Sequence, residues 1–269
     1  MSVRHRNNVS IFGAGSTTVV FAHGFGCDQA VWRFISPAFE ERYRILAFDL
    51  VGSGSSDLGA YDRAKYNTLQ GYADDLLEIL DEFADGPVIY IGHSVSAMIG
   101  MLASIRAPGR FLAQVMLAPS PCYINEDGYV GGFTRGDIDE LLETMDANYL
   151  GWSSNVAPII MGAPNAPALA AELSSTFCRN DPDIARHFAR VTFLSDHRAA
   201  LPRVCVPTLI VQCSDDLIAP LEVGDYLHRH IPGSRLHVIR NIGHCPHMSA
   251  PEESARAALA FLDKLEGRA

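Results

Sequence analysis

Short hydrophobic runs rich in β-branched residues alternate along the chain with longer stretches of helical character. Several of these runs are apolar throughout, as strands buried on both faces of a sheet must be. The alternation predicts a mostly parallel sheet flanked by helices, and residues 9–12 are a candidate antiparallel edge strand. The predicted strands are Thr17–Ala22, Arg44–Phe48, Val88–Ile91, Gln114–Leu117, Thr208–Gln212 and Arg235–Ile239.

Four segments between and after these runs are predicted to be helices. Thr68 is placed to cap the first helix, which runs to about Phe83 with its apolar residues on one face. The other three are Ser94–Arg106, Leu221–His230 and the amphipathic terminal segment Glu252–Leu265.

The stretch from 121 to 202 has a different pattern, with no convincing strand and helical periodicity at Ile138–Met145, Pro167–Cys178 and Pro182–Leu194. A helical insertion between two strands of a parallel sheet would lie above their carboxyl ends, where ligands bind in open α/β folds. We therefore expect a single domain whose core comprises residues 1–120 and 203–269 and whose helical cap comprises residues 121–202.

Composition narrows the possible function. The chain has 269 residues, of which 48% are hydrophobic and 19% charged, a profile typical of a folded globular protein. Its formal net charge of −10 would repel a phosphate backbone, so we expect no nucleic-acid partner. The first eight residues are basic but precede no apolar signal segment, so we expect a cytoplasmic protein with no membrane partner.

One apolar strand, Val88–Ile91, leads through Gly92 directly into Ser94 and a helix start rich in small residues. This arrangement resembles the nucleophile elbow of the α/β-hydrolases, in which a sharp turn presents a serine hydroxyl to the pocket. The usual motif is G-x-S-x-G, and here its last position is Ser96, which is still small. Ser94 is the candidate nucleophile, although such a turn taken alone is as often merely structural.

A serine hydroxyl needs a base to remove its proton, and the base needs an orienting acid. In α/β-hydrolases the acid follows the serine along the chain and the histidine comes last. Asp215 and Asp216 follow a predicted strand, and Asp216 has the D-x-x-x-P spacing to Pro220 that resembles the family's acid loop. We therefore assign the acid to Asp216, with Asp215 as the alternative.

His244 and His247 follow the next predicted strand. His244 is the better candidate base because Gly243 lets the loop turn tightly while it presents the ring, whereas His247 is expected to hydrogen-bond within the loop. The two also form H-x-x-H, a zinc-ligand spacing, but no third ligand stands at a recognisable distance. We expect no metal and no cofactor.

Three motifs together carry a closer resemblance: HGFGCDQ at 23–29, GHSVSAM at 92–98 and GHCPHM at 243–248. They resemble the subfamily of the bacterial RsbQ stress regulator and, more loosely, the plant strigolactone and karrikin receptors. The resemblance implies an α/β-hydrolase fold, with a mostly parallel eight-stranded sheet flanked by helices and a helical cap over a hydrophobic cavity. It also implies an oxyanion hole formed by the backbone N–H groups of Phe25 and Val95.

Aromatic and aliphatic residues of the cap and of the loops near the site are candidates to line the substrate pocket, although each is as often plain core. Few charges lie among them, which favours a small hydrophobic substrate. Besides Phe25, the candidates are Phe133, Trp152, Phe188, Phe193 and Ile218.

Two functions stay open at this point. The first is a serine hydrolase that cleaves a small hydrophobic ester or lactone through an acyl-enzyme, with carbon–carbon bond cleavage and a haloperoxidase-like side reaction also possible. The second, implied by the resemblance, is a ligand-sensing component that acts slowly and through a protein partner such as a PAS-domain phosphatase. A haloalkane dehalogenase is excluded because it needs an aspartate where Ser94 stands.

Overall fold

A twisted sheet forms the centre of the structure, a computed structural model that describes residues 2–162 and 166–267. Within these residues the sheet has seven strands in the order β1-β3-β2-β4-β5-β6-β7. Strand β1 runs antiparallel to β3, and every other neighbouring pair is parallel. The strands are β1 Ser10–Phe12, β2 Thr18–Ala22, β3 Arg44–Phe48, β4 Val88–His93, β5 Phe111–Leu117, β6 Thr208–Asp215 and β7 Arg235–Ile242.

The predicted parallel sheet and its antiparallel edge strand are confirmed, but the described residues form seven strands instead of the expected eight. The segment before β1 adds no strand to the sheet among the described residues. Residues Val3–Arg6, which precede that strand, form a short helix, and Arg6 at its end forms ion pairs with Asp75 and Glu78. These contacts hold the amino-terminal segment against a helix instead of extending the sheet.

The predicted helices of the core and of the insertion are all present, with ends shifted by a few residues. The hydrophobic pattern did not predict one further long helix, α5, which contains Pro158. The helices are α1 Val3–Arg6, α2 Leu69–Phe83, α3 Val95–Arg106, α4 Arg135–Ala147, α5 Tyr149–Met161, α6 Pro167–Arg179, α7 Pro182–Phe193, α8 Leu221–His230, α9 Pro246–Ser249 and α10 Pro251–Leu265.

Four of these helices, α4 to α7, follow one another between β5 and β6, with no intervening strand among the described residues. All four fall within the range 121–202 that we assigned to the cap, which also includes residues 163–165 outside the described part. Because β5 and β6 are neighbours in the sheet, the insertion leaves the strand order undisturbed. The division into core and cap remains our interpretation of this arrangement.

The order of strands reverses at the centre of the sheet. From β2 the chain moves outward to β3, then returns to β4 on the other side of β2. In open α/β sheets, the loops that leave the carboxyl ends of the strands at such a reversal diverge and open a crevice. The loops after β2 and β4 carry Phe25 and Ser94, so both candidate positions lie at this point.

A hydrophobic cluster on one face of the sheet is continuous with the inner side of the cap. It joins Phe21 and Ile91 of the central strands to Trp152 and Phe177 of the cap helices. A second cluster on the other face packs α2 and α3 against the sheet. No helix in the part of the chain that the structure describes is long and apolar enough to cross a membrane.

Candidate active site

Ser94 lies at the turn between β4 and α3, with its backbone in an unusual conformation. Its φ of 54° is positive, a region that residues other than glycine rarely adopt. The N–H group of Ser94 donates to the carbonyl of Leu117 at the end of β5, 2.8 Å away, which ties the turn to the neighbouring strand. Strain of this kind persists only where the surroundings hold it, and it is concentrated at functional sites.

Ser94, His244 and Asp216 form one chain of hydrogen bonds. The Nε2 atom of His244 lies 2.7 Å from Oγ of Ser94, and its Nδ1 lies 2.8 Å from Oδ2 of Asp216. A carboxylate only accepts, so Nδ1 carries the proton and Nε2 is left to accept from the serine hydroxyl. All three side chains are buried. The arrangement has the geometry with which a histidine takes a proton from a nucleophilic serine.

The carboxylate of Asp216 is held by the backbone of its own loop. Its Oδ1 accepts from the N–H groups of Ile218 and Ala219, at 2.8 and 3.1 Å, which leaves Oδ2 for the histidine. The side chain of Asp215 is exposed, and only its backbone carbonyl approaches the site, where it accepts from the N–H of Gly243. The structure thus brings Asp216, and not Asp215, to the imidazole.

His247 lies behind the site and not in it. Its ring is fully buried, 4.4 Å from the ring of His93 and 4.8 Å from that of Trp32, and neither of its nitrogens has a hydrogen-bond partner within residues 2–162 and 166–267. Our expectation that this ring would hydrogen-bond within its loop is therefore wrong. Burial, reinforced by the neighbouring His244 and His23, lowers the pKa of His247 to about 3, so the ring is neutral near pH 7.

His93, next to the nucleophile, supports the base from the opposite side. Its Nε2–H donates to the backbone carbonyl of His244 at 2.8 Å. Burial, with added repulsion from His247, holds the pKa of His93 well below the usual range. A neutral ring in this position fixes the loop that carries His244 without adding a charge to the site.

The two residues proposed for the oxyanion hole are near Ser94, since Val95 follows it in the chain and Phe25 lines the same cavity. The N–H of Val95 belongs to the first residue of α3, where an α-helix offers no acceptor, and Phe25 follows β2 at the facing turn. Ser96 links the two turns, because its hydroxyl donates to the carbonyl of His23 at 2.5 Å. Ser96 stands where the usual motif has its last glycine, and its hydroxyl therefore connects the start of α3 to the end of β2.

A cavity of about 30 Å³ adjoins the hydroxyl of Ser94. None of its lining residues bears a carboxylate, ammonium or guanidinium group, and most are apolar. The lining residues are Phe25, Cys27, His93, Ser94, Tyr123, Ile160, Leu173, Phe177, Thr192, Phe193, Ile218, His244 and Cys245.

The predicted pocket residues separate into two groups. Phe193 and Ile218 line the cavity, as does Phe25. Trp152, Phe188 and Phe133 do not line it: Trp152 and Phe188 stack behind Phe25, with ring centres 6.3 and 5.6 Å from it, and Phe133 packs at the edge of the core. Hydrophobic periodicity identifies the buried face of a helix, but it does not distinguish residues that line a cavity from residues that pack in the core.

Sequence analysis missed the polar groups of the cavity wall. Tyr123 follows β5, and burial raises the pKa of its phenol to about 12, while a hydrogen bond with Ser94 acts in the opposite direction. Thr192, on α7, has a buried hydroxyl oxygen with no partner among the described residues. No motif marks either residue, and only the fold brings them next to the serine.

Histidine, cysteine and carboxylate side chains do not assemble into a metal site. Across residues 2–162 and 166–267, no group of three or more of them could hold an ion. His247, half of the H-x-x-H pair, is packed between rings, and His244 uses both nitrogens within the hydrogen-bond chain.

The sheet order, the strained serine turn and the hydrogen-bond chain are those of a hydrolase of the α/β class. The model of the alpha/beta hydrolase family matches residues 19–257, so the chain belongs to that family. The expected fold class and family are thereby confirmed.

Relatives cover almost the whole chain. The karrikin insensitive 2 receptor CA of Petunia hybrida is 43% identical over 251 residues, which cover 93% of each chain. The strigolactone esterase D14 of Arabidopsis thaliana is 40% identical over 250 residues, again 93% of each. The solved structure of a hydrolase from Oleispira antarctica superposes with a TM-score of 0.95 at 44% identity, covering 97% of this chain and 96% of that one. The expected likeness to the plant receptors is confirmed.

Proposed function

We propose that the protein is a serine hydrolase that cleaves a small, uncharged ester or lactone through an acyl-enzyme. The observation that carries this proposal is the buried chain of hydrogen bonds from Ser94 through His244 to Asp216, which ends at an apolar cavity. The alpha/beta hydrolase family and a 40% identical relative named as an esterase support the same reaction.

In the first half-reaction, Oγ of Ser94 attacks the carbonyl carbon while its proton passes to Nε2 of His244. Asp216 stabilises the imidazolium that forms and keeps its Nδ1–H directed at the carboxylate. The tetrahedral intermediate places a negative charge on the former carbonyl oxygen, which the N–H groups of Phe25 and Val95 would stabilise. Collapse of the intermediate expels the alcohol, which takes the proton from His244.

In the second half-reaction, water attacks the acyl carbonyl and gives its proton to His244. The same two N–H groups stabilise the second oxyanion, and collapse returns the proton to Ser94 and releases the acid. For a lactone, the alcohol and the acid are parts of one molecule, so the product is a single hydroxy acid.

The cavity favours small uncharged substrates. A space of about 30 Å³ holds roughly one water molecule, whereas sites for drug-sized ligands measure about 300–1,000 Å³. Phe177 and Phe193 of the cap helices line it, so a substrate larger than a water molecule fits only if the lining residues move apart. A charged group in this lining would lose its hydration without gaining an ionic partner.

Ser94→Ala tests the proposal. Only the nucleophilic oxygen is removed, so we expect hydrolysis of a short-chain aryl ester to be lost while the thermal unfolding midpoint stays within a few degrees of the wild-type value. Ser104→Ala is the matched control, since it removes another buried serine hydroxyl of α3, one that donates to the carbonyl of Met101 in the same helix and not to the hydrogen-bond chain. Phenylmethylsulfonyl fluoride should label Ser94, located by mass spectrometry. Undiminished turnover in Ser94→Ala would refute the proposal.

Ligand sensing is a second candidate function, supported by the 43% identical karrikin insensitive 2 receptor and by the apolar cavity that cap residues line. In this case, turnover would be slow, and occupancy of the cavity would alter the surface of the cap for a protein partner such as a PAS-domain phosphatase. A genomic neighbour encoding such a phosphatase, with binding that depends on ligand, would favour sensing. Rapid turnover with no change in the cap would favour a hydrolase whose function is the turnover itself.

A further inference from the structure

The last turn of α5 contacts the loop that carries His244. A helix leaves its final four carbonyl groups without N–H donors from within the helix, and here Pro158 O accepts from the N–H of Gly162 at 3.0 Å. The carbonyl of Ile160, in the same turn, accepts from the backbone N–H of His244 at 2.8 Å. An otherwise unused helix-end carbonyl is thus bonded to the residue proposed as the base.

Two glycines make this approach possible. Gly162 ends α5 with φ +58°, and a Cβ atom there would stand 2.7 Å from Cα of Gly243. Gly243 has φ +96°, and a Cβ atom there would stand 1.9 Å from the carbonyl oxygen of Met161. These are backbone atoms that no rotamer change can move, so a side chain at either position would force the helix end away from the loop.

The helix that makes this contact also forms part of the cavity wall. The side chain of Ile160 lines the cavity beside Ser94, while its carbonyl holds His244. On the core side, Gly243 donates to Asp215 at the end of β6. The loop carrying the base is therefore fixed between the core and the cap, one backbone hydrogen bond to each.

We propose that the carboxyl end of α5, through the Ile160 carbonyl and the close approach of Gly162, positions His244 for proton transfer and so makes the geometry of the base depend on the position of the cap. This inference rests on the proposed function. When α5 lies against the loop, the imidazole reaches Ser94; when substrate entry displaces α5, the loop loses its contact on the cap side. Proton transfer is then efficient only after the cap has returned.

Gly162→Ala tests the positioning role, with Gly233→Ala as its matched control. Both glycines have left-handed backbones, with φ values of +58° and +68°, but a Cβ at 233 would meet nothing within 4 Å. Both variants therefore carry similar backbone strain, but only Gly162→Ala forces α5 away from the loop that carries His244. We expect Gly162→Ala to lower kcat on the order of a hundredfold with KM changed much less, because a small displacement of a reacting group has effects of this size. Gly233→Ala should keep wild-type kinetics.

Amide hydrogen exchange measures the hydrogen bond between His244 and Ile160 independently of turnover. In Gly162→Ala, the peptide containing His244 should exchange faster than in wild type, because its N–H loses the Ile160 acceptor.

A second variant is available if Gly162→Ala does not fold. Met161→Ala loosens the same turn without altering the cavity lining, and Leu142→Ala, which removes a buried side chain of α4, is its control. Met161→Ala should slow sulfonylation of Ser94 at least tenfold more than Leu142→Ala.

Two results are decisive. If turnover depends on Ser94 but Gly162→Ala and Met161→Ala behave like their controls in kcat and in exchange at His244, the positioning role is overturned while the proposed function stands. If Ser94→Ala retains turnover, the proposed function fails and the positioning role fails with it.

Discussion

The two halves of the site are held by different forces. On the core side, polar atoms are fixed by directional bonds from the main chain: two amides hold Asp216, and Leu117 holds the turn of Ser94. On the cap side, aromatic rings pack around Phe25 at centroid distances of 5.6 to 6.3 Å, with few directional constraints. Under the proposed function, the core side would supply the reacting groups, and the cap side would mainly select the molecule that reaches them. Substitutions should separate these two effects.

The sharpest test compares two adjacent carboxylates of the core side. Asp216→Asn should lower kcat roughly ten-thousand-fold, because the amide favours the wrong imidazole tautomer and no longer stabilises the imidazolium. Asp215→Asn should have little effect, since its side chain is exposed and its useful group is a backbone carbonyl. Steady-state kinetics on both variants check this, and the reverse ranking would transfer the acid role to Asp215.

Substitution of two cap aromatics tests the distinction between residues that line the cavity and residues of the hydrophobic core. Trp152→Ala should lower the free energy of unfolding by about 3–5 kcal/mol, because the buried ring stacks on Phe177 behind the cavity. Phe193→Ala should change the preferred acyl-chain length, because its ring faces the cavity. Denaturant unfolding, together with kinetics on esters of increasing length, measures both effects. Equal shifts in chain-length preference would contradict the distinction.

The last test concerns the neutral imidazole behind the site, and it affects stability without changing the reacting groups. His247 has a folded-state pKa of about 3, so between pH 6.5 and 3 the unfolded chain binds a proton that the folded protein does not. Stability should therefore fall as pH falls through this window, by about 1.4 kcal/mol per pH unit for one proton. His247→Phe sacrifices no hydrogen bond and should flatten the decline. Urea unfolding at several pH values compares the slopes, and identical slopes would show that His247 does not titrate in this way.

Sequence predicts the core side well because its signals are local. The β-branched runs, the turn residues around Ser94 and the polar residues after β6 and β7 all lie next to the structures they mark. The antiparallel edge strand followed from the same pattern, whereas the eighth strand was expected from resemblance alone and is not found among the described residues.

The cap side is less predictable because its signals depend on tertiary contacts. Pro158 normally interrupts a helix, since it lacks an N–H and crowds the preceding turn, so α5 was not predicted. The structure keeps the helix because Met161, Ala157 and Trp152 are buried against the rest of the cap. Likewise, Tyr123 belongs to no motif, and its place near Ser94 arises only when the chain folds.

The position of the insertion between the adjacent strands β5 and β6 makes the cap an exchangeable module in protein engineering. We expect that a chimaera could receive a foreign helical segment in place of residues 121–202, because the bonds of Ala118 and Pro207 that join β5 and β6 lie outside this range. The contact at Ile160 imposes one condition on such grafts. The donor segment must bring a carbonyl to the amide of His244, or the hybrid will inherit a new specificity together with a misaligned base.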